Sequence, residues 1–575
     1  MAHDFPAMSR CRHLLLLAAG LVLGAFAAGA AEGKVVALPP FLVAEKAQAL
    51  PWRYAEVAGC EVLSSCSERL TRDLIANHHR LQVLLGELLP PSLQLKTTAP
   101  QTLLFVDSAQ LPPTSQEVVA QLALTSAEQE RLADPIEPLN DGRLRRRPPP
   151  PRYTFLPNLR LWDRDTGTLF AVVSEKEFNA NRVALAPDYV AYVLRNRLPA
   201  LPPWFVSGVL TLFARAEFSQ DALTFYPLDW PAAAGSAALK AGAESNQPLL
   251  PLAEFFSGRT SADVPAQGEV QSLWQSQAAL FLHWGRGASR RSALENFATR
   301  GAVEPVTEAL FQACFGIDFA TAHQQLTAYL LAAMREKLAL RPAQRPRLPD
   351  YRLRPANDVE VARIKGDWER LEIGYVKSHF PTLVPKYLAQ ARHTLRRAYD
   401  AGSRDARLLA VLGLCEVDAG NDTAAREFLE AAAAGRTGLR PRAWFELARL
   451  RFAALGVPRT GAAPALTLAQ AGEVFTPLAA AREQAPPLAE VYTLIAEVWT
   501  VCADTPTRAQ LAVLEEGVRT FPRHTELVYR TAELNAHHGF TDTARWLITL
   551  GLTLAPDAAA RTRFEALQAR VNAPR

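Results

Sequence analysis

Histidine is missing from the whole stretch between His79 and His283. No H-x-x-x-H pair exists in that span, which excludes a helical site where two imidazoles four residues apart share one zinc ion. Cysteine is scarce. The chain has six, none in a C-x-x-C arrangement, so neither a zinc ribbon nor a thioredoxin-type redox pair is available. Net charge is equally small: +4 over 575 residues gives no bias toward nucleic acid or anionic lipid. After the first thirty residues no apolar run approaches the length of a bilayer-spanning helix, so a soluble chain is expected once those residues are removed. G-x-S-x-G, G-x-G-x-x-G, the phosphate-binding loop and the kinase motif set are also absent. Nothing selects a glycosidase-type pair from the 58 acidic residues.

What is present begins with an export-type leader. Arg10, Arg12 and His13 precede the apolar run from Leu14 to Ala28, and Ala28-Gly29-Ala30 supplies small residues for cleavage. Residues 1–31 are therefore expected to be a signal peptide, an uncleaved anchor being the rival, and the protein is expected to be exported to the periplasm or cell envelope. Cys11 leaves with the leader, and Cys60, Cys66, Cys314, Cys415 and Cys502 remain. Cys60 and Cys66 are near enough in sequence for a local disulfide in an oxidising compartment. Cys415 sits in an apolar helical pattern, as an inert core residue does.

At 575 residues the chain exceeds a single core, and two or three domains are expected. Residues 34–340 mix strand and helix signals. PWRYAEVAGCEVLSS alternates as a hairpin does, and Leu70, Leu74, Leu81, Leu84, Leu85 and Leu88 recur at helical spacing. TLLFVD reads as a strand from Thr102 to Asp107, and LRLWDRDTGTLFAVVS as two strands around an Asp-Thr-Gly turn. DGRLRRRPPPP, within 134–151, reads as an exposed basic loop, and helices are expected from Val183 to about Glu336. Residues 341–355, RPAQRPRLPDYRLRP, cannot continue a helix and are expected to be a linker. Residues 356–575 show almost pure helical periodicity.

The last stretch carries a repeat. Leu409, Leu412, Gly413, Gly420, Ala425, Leu429 and Ala432 place large, small and turn residues in a fixed order, and Ala391 precedes Ala425 by 34 residues. Trp444, Leu447 and Ala448 seed another unit. Tyr492, Ile495, Ala496 and Trp499 restart the pattern after an insertion containing GAAPAL, and Val528, Ala532, Gly539, Ala544, Ile548, Gly551 and Pro556 complete a last one. The pattern resembles tetratricopeptide repeats, which are 34-residue helix pairs with small residues at their crossings. The resemblance implies an all-α solenoid whose groove takes a protein or peptide, or an array that acts as an intramolecular brace or dimer surface. The lining residues and the oligomeric state stay unassigned.

Leu185 to Phe213, LAPDYVAYVLRNRLPALPPWFVSGVLTLF, resembles the core of the peptidase MA-like (gluzincin) metalloproteases, in which an H-E-x-x-H helix is followed by a proline-tryptophan turn and W-x-x-E-G. With the two aligned on Pro203-Trp204 and Gly208, the first histidine position holds Asp188, the general-base position Tyr189, the second histidine position Tyr192 and the third-ligand position Ser207. One carboxylate, two tyrosines and a serine are a poor set for zinc. His78-His79 lie adjacent on a helix, with their rings splayed, and are expected to be ordinary helix residues. Trp204, Phe205 and Gly208 are then core residues that seat the second helix on the first, with Pro202-Pro203 fixing its start.

The expected fold is an α+β peptidase-like domain followed by an all-α tetratricopeptide solenoid. The expected function is a non-catalytic, protein-binding scaffold, with no catalytic residue, metal, cofactor or nucleic-acid partner assigned. The alternative is a divergent metallopeptidase or another hydrolase with unusual active-site residues.

Overall fold

A computed structural model describes residues 51–88, 100–107, 136–138, 144–146, 158–178, 190–230, 248–257, 268–341, 347–435, 439–456 and 466–573, apart from positions 58, 174, 176–177, 191–192, 195–196, 215, 219–221 and 288. Strands β1 (Arg53–Val57) and β2 (Cys60–Ser64) form the expected hairpin, closed by Gly59 at φ +82°, where a side chain would be strained. Helix α1 (Glu68–Leu88) leads from β2 to β3 (Gln101–Asp107), which pairs parallel to β2. The short pair β4 (Ile136–Pro138) and β5 (Leu144–Arg146) lies within the basic loop, whose remaining residues fall outside those described. Strands β6 (Asn158–Trp162) and β7 (Gly167–Val173) flank the Asp-Thr-Gly turn as read from the sequence, and β7 runs parallel to β3.

The helical lobe comprises α2 (Pro203–Ala214), α3 (Leu252–Phe256), α4 (Gly268–Gly285), α5 (Arg291–Gly301), α6 (Glu308–Phe315) and α7 (Phe319–Ala333). It also contains a small sheet absent from the sequence reading: β8 (Ala216–Phe218), β9 (Leu223–Phe225) and β10 (Leu338–Leu340). These strands are three residues each, too short for period-two alternation to register.

The stretch expected to be a linker is tied down at its far end. Leu348, Tyr351 and Leu353 pack on the main sheet, and β11 (Arg354–Pro355) adds to the edge of β1. The six-stranded order is thus β11-β1-β2-β3-β7-β6. Its two faces alternate residue by residue. Ala55, Val57, Val62, Leu103, Phe105 and Ala171 face α1, whose Leu70, Leu74 and Ile75 cover them. Leu63, Leu104, Val106, Phe170 and Val172 face the other way, onto Val361, Ile364 and Trp368 of α8 (Asp358–His379). Trp368 stacks on Phe170 at 5.0 Å. Cys60 is the first residue of β2 and Cys66 lies two residues past its last, so the extended strand separates them, and both are free, buried thiols. Cys415 is also buried.

Helix α8 starts at a capping box in which Asn357 and Glu360 satisfy each other's backbone N–H groups. It also opens the repeat array. Its partner is α9 (Val384–Asp400), followed by α10 (Ala406–Asp418) with α11 (Asp422–Ala434), and α12 (Pro441–Ala454) with α13 (Leu468–Arg482). Next come α14 (Ala489–Val501) with α15 (Arg508–Thr520), α16 (Thr525–His537) with α17 (Thr541–Leu554), and a closing helix α18 (Ala558–Asn572). First helices start 35 residues apart from α10 to α12 and 36 apart from α14 to α16. The step from α12 to α14 is longer because of the insertion, of which 457–465 lies outside the described residues. The small positions lie at the expected crossings. A Cβ on Gly413 would lie 2.6 Å from Leu429 Cγ, one on Gly517 would lie 2.5 Å from the Tyr492 ring, and one on Gly551 would enter the Phe564 ring. Successive first helices pack on each other along the array, whereas second helices approach only their neighbours in sequence, so the first helices form a continuous layer.

Gly413→Val is expected to destabilise the chain by about 1–3 kcal/mol through overpacking against Leu429. Gly374→Ala, in an open position of α8, should be neutral or stabilising by up to about 1 kcal/mol. Urea unfolding of the two variants checks the contrast.

Candidate functional site: a charged seam between sheet and repeats

Two places could carry function: the α2 region and the first-helix layer of the array. At the first, Pro203 begins α2 and Trp204 is buried. Its ring lies 5.2 Å from Phe281, 5.6 Å from Phe256 and 5.4 Å from Phe297, which fixes the helix within an aromatic core. A Cβ on Gly208 would lie 2.6 Å from Ala278 O and 2.7 Å from Leu282 Cδ1. The close crossing expected at Gly208 is therefore with α4, not with the preceding segment, although Val190, Val193 and Leu194 of that segment share the same core. Sequence spacing could not show this, because α4 enters from about 60 residues downstream. Ser207 is half-buried on α2, while Asp188, Tyr189 and Tyr192 lie outside the described residues. His78 turns inward, with Nε2 3.9 Å from Cys60 Sγ, and His79 turns to Arg347 O at 3.0 Å, so the two rings diverge as expected.

The second place is assembled from distant segments. The β6–β7 turn, Asp163 to Thr166, rests on the first helices. Arg370 of α8 is 1% exposed and sits among three carboxylates: Asp163 at 2.7 Å, Asp418 at 2.7 Å and Asp367 at 2.9 Å. Arg442 of α12 bridges Asp163 at 2.5 Å and Asp418 at 2.6 Å, and its backbone N–H donates to Asp165 at 2.9 Å. Arg440 donates to Asp367 at 3.0 Å and faces Asp165 at 3.8 Å. Glu446 lies 3.7 Å from Arg442, so three guanidiniums meet five carboxylates in a place largely closed to water.

The two turn aspartates titrate in opposite directions. Burial opposes ionisation of Asp163, but Arg370, Arg442 and Arg440 outweigh it and hold the carboxyl well below its ordinary range. Asp165 is pushed up, chiefly by burial and further by the neighbouring Asp163 charge, against the pull of Arg440.

Further ties run beside this cluster. Glu61 of β2 pairs with Arg363 of α8 at 2.5 Å and Arg407 of α10 at 3.2 Å, and accepts from the Tyr54 hydroxyl at 2.7 Å. Arg164 reaches Glu490 of α14 at 3.5 Å and covers the Phe445 ring at 5.6 Å. Arg523, just ahead of α16, donates to Gly301 O at 3.0 Å and Ala302 O at 3.3 Å at the end of α5. Each contact falls on or next to a first helix. The sheet unit thereby engages the array from α8 to α14, and the helical lobe meets the start of α16 through the end of α5. Sequence reasoning found the turn but not its partners. The one available signal, the doublet of aspartates in Asp163-Arg164-Asp165, reads like any exposed turn.

No family model matches this chain, and no curated protein matches it. Solved structures do. The tetratricopeptide protein YrrB, described as having an unusual peptide-binding site, aligns at 13% identity over 34% of this chain and 90% of its own, with a TM-score of 0.26. The MamA protein aligns at 14% identity over 37% of this chain and 98% of its own, with a TM-score of 0.25. A thermophilic tetratricopeptide protein of Thermus thermophilus aligns at 18% identity over 35% of this chain and 98% of its own, with a TM-score of 0.24.

Asp163→Asn is expected to cost about 3–5 kcal/mol at neutral pH, because it leaves buried guanidiniums unbalanced. Asp165→Asn keeps an acceptor for the Arg442 N–H and removes a carboxyl whose ionised form burial disfavours, so it should cost about 1 kcal/mol or less. Asp163 titrates lower folded than unfolded, so its contribution is complete above about pH 4 and drains as the pH falls below that value. Urea midpoints measured from neutral to acid pH should show that loss in the parent and a flatter profile in Asp163→Asn.

Proposed function

We propose that this chain is a non-catalytic, protein-binding scaffold of the bacterial cell envelope, in which a tetratricopeptide array carries a pseudo-peptidase unit. The observation that carries this reading is the buried Arg370–Arg442 seam, which fastens the sheet unit to the first-helix layer and makes the repeats a frame for it. The export-type leader supports the compartment, and the occupants of the metalloprotease positions, Asp188, Tyr189, Tyr192 and Ser207, support loss of the chemistry. Retention of a core without its ligands explains why Trp204 and Gly208 persist.

Because the sheet unit uses the first helices up to α14 and the helical lobe meets the start of α16, partner binding is assigned to the end of the array. There Arg563 covers the Tyr529 ring at 4.2 Å and Arg570 pairs with Glu533 at 3.1 Å, at exposed or half-exposed positions. Aromatic and arginine side chains of this kind supply most binding energy at protein interfaces. Trp546 of α17, 47% exposed, adds apolar area.

Purified protein is expected to hold no stoichiometric zinc and to cleave no peptide. Bound zinc together with peptidase activity would instead establish the divergent metallopeptidase. Photo-crosslinking from position 529 in envelope fractions should capture a defined partner whose yield falls at least ~10-fold in Arg570→Glu, the loss expected of a hot-spot arginine. An undiminished yield would remove this surface from consideration.

A further inference from the structure

Helix α8 buries a carboxyl, that of Glu372, which no partner among the described residues satisfies. Glu372 lies one turn beyond Trp368, whose ring stacks on Phe170 of the sheet, and it is 0% exposed. Neither of its carboxylate oxygens has a hydrogen-bond partner, and the Trp368 indole N–H bears on the carboxyl without closing a hydrogen bond. Arg370 of the same helix is held quite differently, with carboxylates at 2.7, 2.7 and 2.9 Å.

Among the described residues no cation offsets Glu372. On its own helix Glu369, one turn back, adds a charge of the same sign. Arg363 is drawn to Glu61 of β2, Arg370 to the seam, and Lys365, also buried, does not act on Glu372. From α9 the Tyr387 phenol faces it, while Arg392 is turned to Glu416 of α10. The other charges near α8 are engaged elsewhere: Arg407 of α10 reaches Glu61, Asp418 lies among the seam arginines, and Asp107 at the end of β3 stands by Cys66.

An ionised carboxylate in such surroundings is strongly disfavoured, so the group keeps its proton. Burial, with Glu369 adding repulsion, holds the Glu372 carboxyl well above its ordinary value of 4.5. Below that value the carboxyl is protonated whether the chain is folded or not, and its burial adds no pH dependence. Above it the unfolded chain releases the proton and the folded chain does not. Each pH unit then weighs about tenfold against the fold, until the buried carboxyl ionises as well. Asp163 acts in the opposite sense, since its contribution drains below about pH 4. A neutral side chain of similar size would fill the same place without this penalty. What the carboxyl adds is the dependence on pH.

We propose that Glu372 is a pH-sensitive catch in the joint of α8 with the sheet and α9, closed in mildly acid surroundings and loosened as the pH rises to neutrality. It rests on the packing of α8 alone, and so stands or falls independently of the scaffold reading.

The test is hydrogen–deuterium exchange of the full chain over residues 358–379, in the parent and in Glu372→Gln. The two are compared at the same pH, so intrinsic exchange rates cancel. Protection of α8 in the variant, relative to the parent, is expected to rise at least ~10-fold from pH 5 to pH 7. Difference infrared spectra at pH 7 should show the carbonyl stretch of a protonated carboxylic acid in the parent that the variant lacks, a signature that a merely structural role would not produce. The proposal is overturned by a smaller rise, by a constant or falling ratio, or by spectra that do not differ in that band. Should Glu372→Gln not fold, Glu372→Met, neutral and of similar size, takes its place. Failure of both to fold also overturns the proposal, because a carboxyl that is protonated in the folded chain is replaceable by a neutral group.

Discussion

Helix α8 is the element on which both halves of the molecule depend. One side of it supplies Val361, Ile364 and Trp368 to the face of the six-stranded sheet, and the other pairs with α9 and α10. A helix buried on several sides has no room for an ordinary charged face. Accordingly its charged residues are inside: Arg363, Glu369, Arg370 and Glu372 are all buried. Removing α8 would uncover the sheet and take the first repeat with it, so the two halves cannot be separated at the start of the repeats.

Burying that much charge is costly, and the arrangement indicates what it achieves. Well-packed apolar residues often replace a buried ion network without loss of stability, so the seam is poorly explained as a device for stability alone. Its geometry is specific, however. Arg370 and Arg442 each grip Asp163 and Asp418, which come from the sheet turn and from α10. A shift of one helical turn at this interface would strand several charges away from water, whereas a purely apolar contact would tolerate a slide. Within the cluster the arginines hold Asp163 below its ordinary range, while burial pushes Asp165 up.

Local order was legible where one strong local rule applied. The hairpin around Gly59, the β6–β7 turn, and the glycines at 413 and 551 were each readable because sterics or period fixed them within a few residues. Parallel pairing of β2, β3 and β7 was not, since strands that pair across a helix leave no mark in either sequence. The Pro/Arg-rich stretch read as a linker because proline excludes a helix. The same residues serve as the sheet's edge, where a missing N–H costs nothing if it faces outward. Of the candidate site, the turn residues were visible and the arginines were not. Arg370, Arg440 and Arg442 look like any surface arginines until the fold removes their water.

Residue order alone settles the helical hairpins and their crossings, because a close approach of two helices demands a small residue at a fixed place in the repeat. It also leaves no H-x-x-x-H pair between His79 and His283, because that motif is a matter of residue type and spacing. What the first helices hold is settled only in the folded chain. Their charges lie at sequence separations of 207 and 279 residues from the aspartate they meet, and pairing across such distances is set by the packing of α8 on the sheet. The repeats that began as a helical pattern are, once folded, one wall of a joint whose other wall is β-sheet.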